Sequence, residues 1–118
     1  MHIALLNYAY EAAMRSPEEL LERYETLTGW AQGLRLAGSH VTVWQRFHHD
    51  ALLVRDSIHY HFVADGFSPT LRMWQIPWRL HQQIMRQNPD VLHINGLLFP
   101  LQSRIVKQFS PAASITIA

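Results

Sequence analysis

The sequence predicts an α/β fold: a three-layer α/β/α sandwich around a mainly parallel β-sheet, with strand order 3-2-1-4-5. Two observations predict it. Short apolar runs, typical of strands buried on both faces, alternate with longer segments whose apolar residues recur every three to four positions, as in amphipathic helices. The chain has 118 residues, 48% of them hydrophobic, so it is long enough to bury the core of one domain.

The first predicted unit of this fold is a strand, a helix and a second strand. His2 to Leu6 is the first apolar run. Ser16 can cap a helix that begins at Pro17, and Gly38 ends it. Within that helix one face is apolar, at Leu20, Tyr24, Leu27, Ala31 and Leu34. The second strand follows at Val41–Trp44, and a right-handed crossover makes it parallel to the first.

The middle of the chain repeats this alternation less regularly. His48 to Ser57 fits no single element, although Asp56-Ser57 predicts a turn before a third strand at Ile58 to Ala64. Ser68-Pro69 then predicts the start of a second helix, which Pro77 kinks or restarts. Its apolar stripe consists of Met73, Ile76, Leu80 and Ile84, and it ends before Asn88-Pro89.

The last third predicts a strand, a helix and a strand. Val91–Ile94 is the fourth strand, Pro100 starts a helix that runs to about Phe109, and Ala113 to Ala118 is the fifth strand. A parallel sheet normally covers each strand with the helix that follows it. We therefore expect residues 1–118 to be a single domain and the truncated amino-terminal half of a larger protein.

Composition argues against several classes of function. Ten basic residues balance nine acidic ones, which argues against binding to nucleic acid. The chain has no cysteine, so disulfides and thiolate metal sites are excluded and a reducing, cytoplasmic setting is expected. The motifs G-x-G-x-x-G and G-x-x-x-x-G-K-[ST] are absent, so neither dinucleotide binding nor phosphate-loop hydrolysis is expected.

Candidate site residues are those that follow the predicted strands. In open α/β sheets ligands bind beyond the carboxyl ends of the strands, so two groups of residues should face one cleft. These are Asn7 and Tyr8 after the first strand, and His93, Asn95, Gly96 and Leu97 at the end of the fourth. Amide, hydroxyl and ring groups of this kind suit a polyhydroxylated ligand. The alternative is that they shape the turns and that His93 is a core histidine.

The histidines do not predict a metal site. His59 and His61 share one face of a strand, and His48 and His49 precede them in the chain. No carboxylate or cysteine arrangement completes a set of metal ligands, so we expect solvated or packed histidines, no metal and no cofactor.

A possible membrane contact is predicted near the second helix. Arg72, Arg79 and Arg86 recur every seven residues and so share one helix face, with Trp74 and Trp78 nearby. This composition suits the surface of an anionic bilayer. The alternative is the solvated side of a helix packed on a sheet.

Two segments resemble a known family. Asn88 to Leu97, with the sequence N-P-D-V-L-H-I-N-G-L, resembles the P-D-V-V-H-x-H-G stretch in the amino-terminal domain of retaining GT-B glycosyltransferases of the family 4-like group. Gly29 to Val43 resembles that family's L-A-x-x-L-x-x-x-G-H-x-V-T-V pattern. Two features depart from the family: no Gly-Gly turn follows the first strand, and Asn95 replaces a second histidine.

The resemblance implies a fold and a function. Its fold is a Rossmann-like domain that binds the acceptor, while a second domain binds the nucleotide-sugar donor without a metal. The expected function is the acceptor half of an enzyme that moves a hexosyl group to a saccharide or lipid-linked acceptor, as in polysaccharide biosynthesis. This half alone would be inactive, and it would be cytoplasmic or peripheral at the inner membrane surface. The alternative is a non-catalytic binding or interaction module on a flavodoxin-like scaffold.

Overall fold

A six-stranded β-sheet forms the centre of the protein in its computed structural model. The structure describes residues 1–8, 10, 13, 15–23, 25–67, 71–72, 74–95, 104 and 114–117. In chain order its elements are β1 (His2–Asn7), α1 (Pro17–Arg23), α2 (Glu25–Leu36), β2 (His40–Arg46), β3 (Ala51–Arg55), β4 (Ile58–Val63), α3 (Trp78–Gln87), β5 (Val91–Asn95) and β6 (Ser114–Ile117). The predicted α/β class is confirmed.

The strand order differs from the prediction because the sheet has an additional edge strand. The observed order is β3-β4-β2-β1-β5-β6, and every neighbouring pair is parallel except β3 with β4. The sequence did not indicate β3, since it has apolar residues on both its half-buried and its exposed sides and lacks the expected alternation. The predicted turn at Asp56-Ser57 is confirmed: both residues have positive φ, 53° and 62°, and join β3 to β4 as a tight hairpin.

Helices cover both faces of the sheet. Side chains alternate along each strand, so Ile3 and Leu5 pack with residues of α1 and α2, whereas Ala4 and Leu6 pack with Leu80 and Ile84 of α3. Two separate hydrophobic clusters result, one on each side of β1.

The first predicted helix is two helices. The cap at Ser16 is confirmed: its Oγ accepts a hydrogen bond from the backbone N–H of Glu19 at 3.3 Å, and the Glu19 carboxylate accepts one from the backbone N–H of Arg15 at 3.0 Å. α1 ends at Arg23, and Tyr24 lies outside the described residues. Gly38 adopts φ 98° just after α2, as a left-handed helix stop requires.

The second predicted helix begins later than its sequence pattern suggested. α3 starts at Trp78, directly after Pro77, and the described residues at 71–72 and 74–77 are not helical, so the proline marks the start of the helix. Arg72 and Trp74 therefore precede α3 and do not share its face with Arg79 and Arg86, which corrects the prediction of one helical arginine stripe. The predicted helix start at Ser68-Pro69, and the helix predicted from Pro100 to Phe109 apart from Arg104, lie outside the described residues.

Candidate functional site

The carboxyl ends of β2, β1 and β5 meet at one edge of the sheet. In the parallel register Asn7, the last residue of β1, lies beside Gln45 of β2 and Asn95 of β5. The ends of the first and fourth predicted strands are therefore neighbours, as the sequence predicted. Gly96 and Leu97, which follow Asn95, lie outside the described residues.

Asn7 is held by its neighbour on β2. Its Nδ2 donates a hydrogen bond to Oε1 of Gln45 at 2.6 Å, and Nε2 of Gln45 donates to the backbone carbonyl of Arg46 at 2.9 Å. Both amide side chains are buried. These hydrogen bonds hold both side chains in one orientation and link the end of β1 to the end of β2.

Tyr8 points to the opposite face of the sheet from Asn7. Its ring is buried, and its hydroxyl lies 2.7 Å from Nε2 of His81 on α3. Burial raises the pKa of the Tyr8 phenol, and burial also lowers the pKa of His81 from 6.5 to about 4. The pair is thus uncharged at neutral pH and ties β1 to α3.

The structure does not bring His93 and Tyr8 together. His93 is half-buried and its ring stacks on Trp30 of α2, with centroids 4.9 Å apart and an interplanar angle of 29°. Burial lowers the pKa of His93. His93 therefore faces the α1 and α2 side of the sheet, while Tyr8 faces α3.

Sequence reasoning missed a buried ion pair at the same edge. Nε of Arg46 donates to Oδ2 of Asp65 at 2.5 Å, and Nη2 donates to Oδ1 at 3.2 Å, with side-chain exposures of 0% and 4%. Nη1 of Arg46 also donates to the backbone carbonyl of Tyr8 at 3.2 Å. Asp65 comes just after β4, so the rule that singled out Asn7 at the end of the first predicted strand could have found it.

A cavity of about 330 Å³ opens beside this ion pair. It lies between the carboxyl end of β4 and the start of α3, and it is lined by Ala64, Asp65, Phe67, Ile76, Trp78 and Arg79. The Asp65 carboxylate is oriented from a further side, since its Oδ1 accepts from the backbone N–H of Phe67 at 3.0 Å. Arg79 forms an ion pair with Asp50 and donates to the backbone carbonyl of Ala64 at 3.2 Å.

The cavity combines apolar walls with a few oriented polar groups, which is the usual composition of a small-molecule site. A second cavity, of about 260 Å³, lies at the other end of β4, where Gln32, Arg35 and Leu36 of α2 approach Asp56. There Nε2 of Gln32 donates to Asp56 at 3.0 Å, and no aromatic residue is among the described lining residues. The cavity beside Asp65 is therefore the better candidate.

The described residues include no group of three or more histidine, aspartate or glutamate side chains placed to hold a metal ion. His59 and His61 do lie on one face of β4, but the His61 ring stacks on Trp44 with centroids 4.0 Å apart. Comparison of the chain with protein-family models, with curated proteins and with solved structures finds no match.

Proposed function

We propose that this chain binds the acceptor for a glycosyltransferase that moves a hexosyl group from a nucleotide-sugar to a saccharide or lipid-linked acceptor. The observation that carries the proposal is the cavity at the carboxyl edge of the sheet, whose lining includes Asp65, with its oriented carboxylate, and the aromatic residues Phe67 and Trp78. Sugars present hydroxyls at their rim and C–H groups on their faces, so carboxylates and flat aromatic rings suit them.

The topology supports the same proposal. A central β1 with parallel neighbours on both sides is what a Rossmann-like acceptor domain of a GT-B enzyme requires. Such a sheet gathers its strand ends at one edge, and the cavity lies at that edge. The sequence resemblance adds Asn95, Gly96 and Leu97 to the proposed acceptor contacts. Asn95 ends β5 and lies beside Asn7.

Each residue has a defined role in this proposal. The Trp78 ring packs against a sugar face, and an oxygen of Asp65 accepts a hydrogen bond from a sugar hydroxyl. Arg46 is a positioning residue, because it fixes the Asp65 carboxylate from the buried side. Tyr8 does not contact the sugar in this proposal; its hydroxyl holds α3 in place through His81.

Calorimetric titration of the 118-residue chain tests the proposal. We expect binding to members of a panel of oligosaccharides and lipid-linked sugars, and no comparable binding to nucleotide-sugars, since the donor site would lie in another domain. Trp78→Ala should weaken acceptor binding by roughly tenfold, the worth of one aromatic contact of about 1–1.5 kcal/mol.

Trp30→Ala is the matched control. Trp30 is as exposed as Trp78, 52% against 51%, but lies on α2 and does not line the cavity. Equal losses for the two variants would contradict the proposed site. A chain that binds no saccharide would favour the non-catalytic interaction module instead.

A further inference from the structure

Several large apolar side chains of the protein are exposed. None of the helices in the described part of the chain is long and apolar enough to cross a bilayer. Two of the exposed side chains, Leu52 at 54% and Val54 at 58%, lie on β3 at the edge of the sheet. In the described sheet β3 has a neighbouring strand on one side only, so backbone groups on its other side can pair with another strand.

The sequence of β3 does not protect this edge. Edge strands commonly carry a proline, a lysine or a bulge, each of which discourages pairing with a further strand. β3 has the sequence A-L-L-V-R, without proline or lysine, and its register with β4 runs from end to end without a bulge. The edge is therefore both apolar and regular.

The hairpin fixes which backbone groups of β3 point to the free side. Asp56-Ser57 has positive φ at both residues, which makes it a two-residue turn of type I′, so Arg55 next to the turn forms a hydrogen-bonded pair with β4. Such pairs alternate along an antiparallel ladder, so Leu53 also directs its N–H and C=O groups to β4. The N–H and C=O groups of Leu52 and Val54 therefore point away from β4.

We propose that two copies of this chain pair through β3, antiparallel and about a two-fold axis at Leu53, so that their sheets become continuous. In this register Leu52 of each copy lies opposite Val54 of the other, and the two residues exchange both of their backbone hydrogen bonds. Every outward N–H and C=O group of the two residues is then paired. Leu52 and Val54 form apolar cross-strand pairs on one face of the joined sheet, and the two copies of Leu53 meet on the other.

The symmetry of β3 favours a second copy of the chain as its partner. The two residues with outward backbone groups are both apolar and lie at equal distances along the strand from Leu53, so the strand is complementary to itself. A register shifted by two residues would place Leu52 opposite its own counterpart and Val54 opposite Asp50, which is already paired with Arg79. The register centred on Leu53 overlaps the whole of β3.

Charge is balanced in the same register. Arg55 of one copy lies opposite Ala51 of the other, so the two copies of Arg55 are at opposite ends of the paired strands. At each end Arg55 and Asp56 of one copy lie next to Asp50 of the other, and Asp50 pairs with Arg79. Each end therefore brings together equal numbers of positive and negative side chains.

Sedimentation equilibrium of the 118-residue chain tests the pairing. A five-residue strand buries little area, so the dimer should be weak and dissociate on dilution. The mass should rise with concentration from 13.7 kDa to twice that value and no further, because a two-fold interface closes on itself. Leu52→Lys adds a charge opposite Val54 of the other copy and should weaken the dimer by roughly tenfold or more.

Amide hydrogen exchange tests the register. The N–H groups of Leu52 and Val54 should exchange slowly in the dimer and fast after dilution, because only the second copy binds them. The N–H of Leu53 is bonded to β4 and should exchange slowly in both states. In Leu52→Lys the Val54 amide should exchange fast and the Leu53 amide slowly, which also shows that the variant keeps its hairpin.

Leu36→Lys is the matched control, because Leu36 is 82% exposed at the end of α2 and should not affect the dimer. A mass of 13.7 kDa at every concentration, equal losses in the two lysine variants, or assemblies of more than two copies would overturn the proposal. A dimer in which the Leu52 and Val54 amides exchange fast would assign the contact to another surface. Residues 51–55 do not line the cavity, so each of these outcomes leaves the proposed function standing.

Discussion

Arg46 is the residue on which the candidate site depends most. Its side chain lies at the end of β2, is wholly buried, and contacts Asp65 after β4 and the Tyr8 carbonyl after β1. One guanidinium therefore joins three strand ends. A buried ion pair of this kind adds little net stability by itself, but breaking it leaves one charge buried without its counterion.

Removing one partner of this pair should be costly. We expect Asp65→Ala to lower the free energy of unfolding by about 3–5 kcal/mol, because the Arg46 charge would remain buried after losing the carboxylate that accepts two of its hydrogen bonds. The double variant Arg46→Met with Asp65→Leu should recover a large part of that loss, since no charge is left. Urea denaturation midpoints measure both. A single variant within about 1 kcal/mol of the parent would contradict the buried pairing.

His81 should make stability depend on pH. Its pKa is lowered from 6.5 to about 4 in the folded protein by burial, so the unfolded chain binds the proton more tightly. The free energy of unfolding should therefore fall as the pH drops from about 6.5 to about 4, by on the order of 3 kcal/mol, and this contribution should level off below that window.

Denaturation at pH 7 and at pH 4.5 measures this dependence. His81→Gln keeps a hydrogen-bonding group near the Tyr8 hydroxyl and removes the titrating imidazole. It should flatten the pH profile across the same window. An unaltered profile would show that His81 is not the group responsible.

At the residue scale, the sequence predicted which strand ends lie side by side better than it predicted which side chains contact one another there. Asn7 was expected beside the end of the fourth predicted strand and lies beside Asn95 there. Arg46 and His81 were not expected, because their roles depend on contacts 19 and 73 residues apart in the chain, which no local pattern encodes. Asp65 was not expected either, although it directly follows the third predicted strand. Tyr8 was expected to face a ligand, but its hydroxyl contacts His81.

At the scale of elements, two positions with left-handed backbone conformation set where the chain turns between elements. Ser57 has φ 62° in the hairpin between β3 and β4, and Gly38 has φ 98° after α2. Residues other than glycine are strained in such a backbone conformation.

Opposite substitutions at these two positions should have opposite effects. Ser57→Gly should stabilise the protein by about 1 kcal/mol, because Asp-Gly is a preferred hairpin pair. Gly38→Ala should destabilise it by a similar amount, about 1 kcal/mol, through backbone strain alone. An added Cβ at Gly38 would meet nothing within 4 Å, so no steric clash complicates the result. Thermal unfolding measures both, and the same sign for both would contradict the assigned turns.

Element prediction succeeded where burial follows a simple period. The buried strands β1, β2 and β4 and the capped start of α1 were predicted because each has a strong local signal. β3 was not predicted, because apolar residues also occupy its exposed positions, Leu52 and Val54, so its sequence does not alternate between apolar and polar residues. The start of α3 was placed too early, because an apolar period continues through Pro77 while the helix cannot.

At the scale of the whole molecule, the fold gives the protein one chemically rich edge. Parallel strands end together there, α3 begins there, and the buried ion pair and the larger cavity both lie beside them. The sequence predicted this convergence, since parallel topology follows from alternating strands and helices. It could not predict the cavity, whose walls come from a strand end, the loop after it and the start of a helix.

The proposed acceptor site is tested most directly by titrating the isotopically labelled chain with its best-binding saccharide and following the backbone amide chemical shifts. Shifts should saturate at Ala64, Asp65, Trp78 and Arg79, and the amides of Arg35, Leu36 and Asp56 around the second cavity should not shift. Saturating shifts at the second cavity alone, or no saturating shifts with any saccharide, would contradict an acceptor site beside Asp65.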